Sequence, residues 1–363
     1  MLKLIHAADL HLDSPFSGLS PEQAALRREE QRQLLDRLGE LVREEQADLV
    51  LLAGDLMDTG RLYPQTAQAL ATALGRISVP VFIAPGNHDP YHAASPYTLP
   101  LWPDNVYIFT SPHPQAVLLP RLGCTVYGAA FTQEQNDQPP LEGFSAQEEG
   151  LQLMVLHGNT AGAGYAPITA AHIAASGLHY LALGHIHQAS GLQRTGHTAW
   201  AYPGCPEGRG FDEPGEKGAL VVCLDESGSC TARFAPLCSR RYEIVEVDLT
   251  GCEDALAAVE AALPVHSTDR DIYRLRLTGS FAMTSGLLRQ LEQALAPRFW
   301  ALEFQDRTRM PRDLWARAQE DSLTGLFLQI MADRCQQQPD DEALQLAARF
   351  GLAALENGED VAP

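Results

Sequence analysis

Five short apolar runs in the N-terminal part of the chain are each followed by Asp, Asn or His, and this pattern constrains the fold more than any other feature. The runs are Leu2–Ala8, Asp48–Ala53, Pro80–Ala84, Leu151–Leu156 and His179–Leu183. Helical patterns separate several of them, which predicts an α/β layered fold: a β-sheet core flanked by helices. In open α/β sheets, ligands bind just outside the carboxyl ends of the strands, so the polar residues are expected in one crevice.

The first predicted helix has a clear start between the first two runs. Ser20 can cap it, Pro21 suits its first position and Gln23 completes a capping box. A second helical pattern covers Pro64–Arg76. Leu122–Ala130 is compatible with one more strand.

The strand-helix pattern starts again near residue 238, which predicts a second, smaller domain. Its strands and helices alternate in the order Glu243–Leu249, Glu253–Leu263, Asp271–Thr278, Ser285–Ala296 and Phe299–Phe304. A helical segment follows from Pro311. We therefore expect three parts, residues 1–237, 238–310 and 311–363, because a chain of 363 residues is long for one domain.

The residues after the five runs have the chemistry of a metal site. They are Asp9 and His11, Asp55 and Asp58, Asn87-His88-Asp89, His157, and His185 and His187. Oxygen and imidazole ligands without thiolate suit Mn, Fe or Zn better than a structural zinc site. Asp9 and His11 are two residues apart, as are His185 and His187, so on extended backbone both members of each pair point the same way.

Each motif alone has an ordinary structural explanation. Asp-x-His occurs often by chance, Gly86-Asn87-His88-Asp89 is also a typical turn, and His157 can be a hydrogen-bonded core histidine. Two histidines at one strand end, His185 and His187, are harder to explain structurally. The ordered set, with each member after an apolar run, favours a metal site over chance.

The ordered motifs D-x-H, G-D-x-x-D, G-N-H-D, H and G-H-x-H resemble those of the calcineurin-like metallophosphoesterase superfamily. The stretches from His6 to Phe16 and from Tyr202 to Phe211 are similar to the YhaO branch of its SbcD-type DNA repair exonucleases. The resemblance is strong up to about residue 237. Beyond it, only the layout and position of the second domain match that family's capping domain.

The resemblance implies two divalent metal ions, Mn²⁺ first, with Fe or Zn as alternatives. One would be held by Asp9, His11, Asp55 and His187, and the other by Asp55, Asn87, His157 and His185. Asp55 would bridge them. His88 would act at the scissile phosphate and Asp89 would orient His88. Asp58 would contact the ligands without binding a metal itself. The implied reaction is hydrolysis by hydroxide activated between two metals.

The implied substrate is DNA, cleaved by a nuclease (exonuclease or endonuclease) subunit of a repair complex with an SbcC-like ABC-type ATPase that has a coiled coil. The net charge of −20 counts against DNA and favours a phosphatase or cyclic-nucleotide phosphodiesterase of the same superfamily. Arg209 has two interpretations, a phosphate contact or a salt bridge. Arg274 and Arg276 share a strand face that is either a DNA contact or merely solvated.

Two features of the C-terminal half bear on partners. A helix after Asp321 has an apolar stripe, with Leu323, Leu326, Phe327, Ile330 and Met331 at helical spacing. It either packs on its own domain or docks on the ATPase, and a homodimer is left open. A non-catalytic scaffold of this fold is disfavoured, because every metal motif is intact.

Cysteine usage and hydropathy predict a soluble cytoplasmic protein with no membrane association. The 7 cysteines are scattered without a C-x-x-C pair, which fits neither a disulfide framework nor a zinc ribbon. No apolar stretch approaches the roughly 20 residues of a membrane helix, and the N-terminus has no signal-peptide pattern.

Overall fold

The computed structural model describes residues 1–58, 64–162, 164–264, 268–309, 315–338 and 341–357. The chain forms two compact units. The N-terminal unit comprises Met1–Ile244, His266–Arg274 and Arg298–Leu302, and the C-terminal unit comprises Val245–Val265, Leu275–Pro297 and Glu303–Pro363. The predicted boundary at residues 310 and 311 lies outside the described residues. Among the described residues, no helix is long and apolar enough to cross a membrane.

Two six-stranded sheets form the centre of the N-terminal unit. The strands in chain order are β1 (Leu2–Ala7), β2 (Leu49–Leu52), β3 (Val81–Ile83), β4 (Val106–Ile108), β5 (Gln115–Leu119), β6 (Cys124–Gly128), β7 (Leu151–His157), β8 (Tyr180–Gly184), β9 (Gln193–Thr195), β10 (Thr198–Ala201), β11 (Gly218–Leu224) and β12 (Cys230–Pro236). The first sheet has the order β12-β11-β1-β2-β3-β4 and the second β5-β6-β7-β8-β10-β9. All five predicted strands are confirmed, as is the strand within Leu122–Ala130.

Each sheet has a parallel centre extended by antiparallel strands. In the first sheet, β1 to β4 are parallel, whereas β11 and β12 run antiparallel beside β1. In the second, β6, β7, β8 and β10 are parallel, with β5 and β9 antiparallel at the edges. The carboxyl ends of the parallel strands therefore meet at one edge of each sheet.

Three of the described helices belong to the N-terminal unit, and the two that the sequence predicts are present. Helix α1 (Pro21–Glu44) begins at Ser20 with the predicted capping box, and α2 is Pro64–Gly75. Helix α3 (Ala170–Ala175) is capped by Thr169. Because the apolar stripes of α1 and α2 are buried against the first sheet, these helices cover one face of it.

The unit is layered, since each strand alternates side chains between two faces. One face of each sheet contributes to a shared core, which includes Leu4, Leu49, Leu51, Phe82, Val126, Leu153, Val155 and Tyr180. The opposite face of the first sheet packs against α1 and α2, and that of the second packs against α3. This confirms the predicted α/β layered fold and places two sets of strand ends side by side.

The predicted strands and helices after residue 238 are also present. A third sheet has the order β13 (Tyr242–Asp248), β14 (Ile272–Thr278) and β15 (Ala301–Asp306). The helices are α4 (Ala255–Ala262), α5 (Ser285–Leu295), α6 (Leu323–Gln337) and α7 (Glu342–Asn357). Short 3₁₀ helices occupy Pro96–Thr98 and Ala296–Arg298. The capping role of this part of the chain stays a prediction.

Candidate metal centre

All seven predicted metal ligands lie at or just after the carboxyl ends of parallel strands. Asp9 and His11 follow β1, Asp55 follows β2 and Asn87 follows β3, all in the first sheet; His157 ends β7, and His185 and His187 follow β8, in the second sheet. The packed sheets therefore supply one set of side chains each. Most of these side chains are buried, with Asp9, His11 and Asp55 almost completely so.

Asp9, His11 and His187 form one cluster. Nε2 of His11 lies 3.3 Å from Nε2 of His187, and Nε2 of His187 lies 3.8 Å from a carboxylate oxygen of Asp9. Oδ2 of Asp55 is 3.8 Å from Nε2 of His11. One ligand atom from each of the first three residues lies within 4.8 Å of the others, which is close enough to hold one cation.

Asp55, Asn87 and His157 form the second cluster. Oδ2 of Asp55 lies 3.3 Å from Nε2 of His157, which is 2.9 Å from Oδ1 of Asn87. Asp9, Asp55 and His157 also have ligand atoms within 4.8 Å of one another, and the His185 ring lies 5.2 Å from that of His157. The same oxygen of Asp55 faces a histidine of each cluster, the position that a bridging ligand would need.

The two clusters suit cations because carboxylates behind the histidines turn the Nε2 atoms of His11 and His187 towards each other. Nδ1 of His11 lies 3.0 Å from Asp58, and Nδ1 of His187 lies 2.7 Å from Glu213. Since a carboxylate only accepts hydrogen bonds, the contact with Asp58 assigns a proton to Nδ1 of His11, whose Nε2 faces Nε2 of His187 at 3.3 Å. A cation can bind at these two Nε2 atoms, and such outer carboxylates commonly orient metal-binding histidines.

His157 has the same arrangement. Its Nδ1 donates to the carbonyl oxygen of Ala53 at 2.9 Å, and its Nε2 faces the oxygens of Asp55 and Asn87, where either a proton or a cation can lie between them. Burial opposes protonation of His157, but the charge and hydrogen bond of Asp55 outweigh it and raise the pKa of His157 to about 9. The buried carboxylates thus require positive charge beside them.

The backbone around the ligands is strained. Asp9, His11, Asp55 and His185 have φ angles of 55°, 44°, 51° and 107°, values that non-glycine residues rarely adopt and that often mark functional sites. The expectation of an extended backbone for the pairs Asp9/His11 and His185/His187 was therefore wrong. The ligands of the first motif converge through left-handed turns instead.

Buried hydrogen bonds hold the strained β1 loop in place. The side-chain amide of Gln31, on α1, donates to the carbonyl oxygens of Leu10 and His11 at 2.9 and 2.8 Å. Its own oxygen accepts from the backbone N–H of Asp13 at 3.1 Å. One helix side chain therefore fixes the ligand loop at three backbone positions.

Two motif glycines are required because backbone and ligand atoms pass close to them. A Cβ on Gly86 would lie 2.2 Å from the Asp55 carboxylate, and a Cβ on Gly184 would lie 1.8 Å from the carbonyl oxygen of Ala53. Neither position tolerates a side chain without moving the strand ends. The glycine of the G-H-x-H motif thus allows the two sheets to approach, and that of the G-N-H-D motif allows the loops after β2 and β3 to approach.

His88 lies beside the clusters and its carboxylate partner is Asp58. Nδ1 of His88 is 3.1 Å from Asp58, which also binds His11, and its backbone N–H donates to Asp55 at 2.8 Å. The hydrogen bond from His88 to Asp58 raises the pKa of His88. The His88 side chain is 52% exposed, so a substrate can reach it.

Asp89 does not have the predicted position beside His88 in the described contacts. Its buried carboxylate accepts the backbone N–H groups of Asp55, Leu56 and Gly86 at 3.1, 2.7 and 2.8 Å, and the hydroxyl of Tyr97 at 2.6 Å. Adjacent residues of a tight turn point in different directions, so Asp89 faces the loops while Asp58 supports His88. Asp89 anchors the loops that carry Asp55 and Asn87.

Sequence reasoning missed Glu213, Tyr165 and Gln31. Glu213 contacts His187 across 26 positions of sequence, and no motif spacing connects them. The Tyr165 ring lies 5.1 Å from that of His185, and the residue is partly exposed. The continuation of the Tyr202–Phe211 stretch, in which Arg209 precedes an acidic residue by four positions, was the available signal for Glu213.

The three arginines weighed from the sequence have different surroundings. Arg209 forms a salt bridge with Glu213 at 2.6 Å. Arg274 lies 4.0 Å over the ring of Phe211. Arg276 pairs with Glu246 at 2.7 Å on a partly exposed face.

Comparison with known proteins agrees with this geometry. The profile of the calcineurin-like phosphoesterase family matches residues 2–189. The chain is also similar to the uncharacterized metallophosphoesterase YhaO of Bacillus subtilis (strain 168), with 31% identity over 320 residues, or 83% of this chain and 74% of the relative. With a family match over more than half of its length and a donor set suited to cations, the chain belongs to the calcineurin-like phosphoesterase family and is a metal-dependent phosphoesterase.

Proposed function

We propose that this phosphoesterase cleaves phosphodiester bonds in DNA, as the nuclease subunit of a repair complex. The observation that carries the proposal is Tyr165, an aromatic side chain beside the candidate metal centre. Its ring lies 5.1 Å from that of His185, and 41% of the residue is exposed. An exposed aromatic next to a phosphate site suits a nucleobase, since base–aromatic stacking contributes about 1–3 kcal/mol per base.

The backbone supports this position of Tyr165. The residue has a φ of 51°, its carbonyl oxygen accepts the backbone N–H of Asn159 at 3.1 Å, and Ala166 donates to the carbonyl oxygen of Asn136 at 2.5 Å. An aromatic side chain kept in a left-handed turn at a site is costly unless it has a use. A phosphatase for small monoesters has no need of such a platform.

The surrounding residues define the chemistry. Bound at the two clusters, divalent cations would neutralise charge on the phosphate and acidify the attacking water. His88, held by Asp58, is placed to give a proton to the leaving oxygen, because the hydrogen bond to Asp58 favours its protonated form and raises its pKa. Asp58 keeps the ring oriented and does not contact the substrate in this scheme.

The acidic composition does not by itself exclude DNA. The net charge of −20 includes the carboxylates of the metal centre, whose charge would be reversed locally by two bound divalent cations. Arg209 adds a further cation beside His187. Affinity for DNA should therefore depend strongly on the metal and on salt concentration.

The decisive experiment offers parallel substrates to the Mn²⁺-loaded protein: bis-p-nitrophenyl phosphate, p-nitrophenyl phosphate, cyclic AMP, and single- and double-stranded DNA. A nuclease cleaves DNA and the diester faster than the monoester. Preference for the monoester would establish a phosphatase, and preference for cyclic AMP would establish a cyclic-nucleotide phosphodiesterase, the runner-up that the acidic charge favours.

A second experiment tests the role of Tyr165 directly. Tyr165→Ala should slow cleavage of a DNA oligonucleotide about 5- to 150-fold, the equivalent of one lost stack. An oligonucleotide with an abasic analogue beside the scissile phosphate should be cut slowly and equally by both proteins. Equal loss on the intact and abasic substrates would show that Tyr165 acts on the fold and not on a base.

We further propose that α6 docks on the coiled coil of an SbcC-like ABC-type ATPase. The predicted stripe divides in two: Met331 is buried and Phe327 half-buried, whereas Leu323, Leu326 and Ile330 are exposed. The exposed three follow the i, i+3, i+7 spacing by which helices pack on other helices. The helix therefore has one apolar face for its own core and another for a partner.

Charged substitutions test the docking without unfolding the unit. Leu326→Glu with Ile330→Glu should abolish co-purification with the ATPase and ATP-stimulated DNA cleavage, and leave hydrolysis of bis-p-nitrophenyl phosphate unchanged. Leu118→Glu on β5 is the matched control, since Leu118 and Leu326 are both 55% exposed. Normal ATPase binding by the double variant would exclude this surface.

A further inference from the structure

Residues 204–217 contact both the backbone carbonyl group and the ring of His187. The carbonyl oxygen of His187 accepts the backbone N–H of Cys205 and the ammonium of Lys217, both at 3.2 Å. Its Nδ1 lies 2.7 Å from Oε1 of Glu213. Because Glu213 is buried, these contacts leave His187 little freedom of orientation.

Glu213 also fixes Arg209. Nη2 and Nε of Arg209 donate to the Glu213 carboxylate at 2.6 and 3.2 Å, and the backbone N–H of Arg209 donates to its second oxygen at 2.8 Å. Nε of Arg209 also lies 3.3 Å from that second oxygen, and the Glu213 side chain is buried. The guanidinium is thus held in one plane by both oxygens of a single carboxylate.

Arg209 faces the candidate active site. Nη2 lies 2.9 Å from Nδ1 of His187, and the charge of Arg209 acts on both His88 and Asp58. In the described part of the chain, Nη1 of Arg209 makes no hydrogen bond, and 22% of the side chain remains exposed. A fixed guanidinium with outward N–H donors, next to the proposed proton donor, is a typical phosphate contact.

We propose that Arg209 binds a non-bridging oxygen of the substrate phosphate and that Glu213 is a positioning residue for both Arg209 and His187. The proposal rests on the phosphoesterase activity of this site and applies equally to DNA and to small esters. One carboxylate would then couple the orientation of a metal ligand to that of the phosphate contact. A purely structural salt bridge predicts no effect on anion binding.

The test uses inorganic phosphate as the probe and the full-length Mn²⁺-loaded protein. Arg209→Met should retain both Mn²⁺ equivalents in metal analysis, while the inhibition constant for phosphate rises about 10- to 100-fold, as expected for the loss of a charge-assisted hydrogen bond. With bis-p-nitrophenyl phosphate, kcat/KM should fall by a similar factor. Arg194→Met, on β9, is the matched control and should change neither value.

Glu213→Gln separates the two roles. Because it disturbs both partners, it should weaken Mn²⁺ affinity about 10- to 100-fold in a chelator competition and also weaken phosphate binding. Unchanged phosphate inhibition in Arg209→Met would overturn the phosphate contact, and loss of Mn²⁺ in that variant would show that Arg209 only supports His187. Should Arg209→Met fail to fold, Arg209→Lys keeps the charge without the planar fork: weaker phosphate inhibition supports the proposal and wild-type inhibition overturns it. None of these outcomes depends on DNA cleavage.

Discussion

Replacing Asp89 by asparagine should destabilise the loops of the metal centre more than it affects proton transfer. The buried carboxylate accepts hydrogen bonds through both oxygens. Oδ1 accepts from the backbone N–H groups of Asp55 and Gly86, and Oδ2 accepts from that of Leu56 and from the hydroxyl of Tyr97. An asparagine offers one oxygen and turns an NH₂ group towards the remaining donors.

The magnitude follows from the number of donors that lose their acceptor. With the single oxygen of the introduced amide placed where Oδ2 of Asp89 lies, the N–H groups of Asp55 and Gly86 remain buried without an acceptor. Each unsatisfied buried donor costs about 1–3 kcal/mol, so the variant should lose about 2–6 kcal/mol of unfolding free energy. That is a large part of the roughly 5–15 kcal/mol of a typical protein. Because the predicted bridging ligand Asp55 lies in one of the affected loops, Mn²⁺ affinity should fall as well.

Urea unfolding of the EDTA-treated protein measures this loss without a contribution from metal binding. Tyr97→Phe is the graded control: it removes one donor from Asp89 but leaves the backbone bonds, and should cost about 1–3 kcal/mol. An unchanged unfolding midpoint for Asp89→Asn, together with lost turnover and intact Mn²⁺ content, would refute the anchoring argument. Asp89 would then act through His88, as the sequence suggested.

Three further outcomes are expected. Asp55→Asn should remove at least one Mn²⁺ equivalent and all turnover, because its carboxylate faces both clusters; an active variant with two tightly bound ions in metal analysis would exclude a bridging role. His88→Ala should keep both ions but lose about 10²–10⁴ in rate on DNA and much less on nitrophenyl esters, whose leaving group hardly needs a proton; equal losses on both would contradict a general acid. Burial lowers the pKa of His6 from 6.5 to about 3, so the unfolded state binds one proton more between these values and stability should fall by up to about 1.4 kcal/mol for each unit that the pH drops below 6.5. His6→Gln should reduce the slope by this contribution in urea unfolding of the EDTA-treated protein, and an unchanged slope would show that His6 does not contribute to it.

The parts of the fold that sequence reasoning recovered are those with a local signal. Buried parallel strands such as Leu49–Leu52 are continuous apolar runs, and the start of helix α1 is indicated by Ser20 and Gln23. Strand β11, Gly218–Leu224, was not predicted, although it has the same kind of apolar run. The short edge strand Gln193–Thr195 has no such signal, since its side chains are largely exposed and its pairing with β10 is decided by tertiary contacts.

The candidate site shows the same division between ligands and the residues behind them. The ligands could be predicted because parallel strands all end at the same edge of their sheet, whatever the conformation of the loops that follow them. Their partners could not, because a hydrogen bond such as that from His187 to Glu213 depends on how two distant loops pack. Adjacency in the chain gave the wrong partner for His88. Asp89 is the next residue, yet the carboxylate that contacts the His88 ring belongs to Asp58, 30 positions away. Partners of this kind set the tautomer and orientation of each ligand, so a chain can retain every motif residue and still lose activity through a change at Glu213 or Gln31.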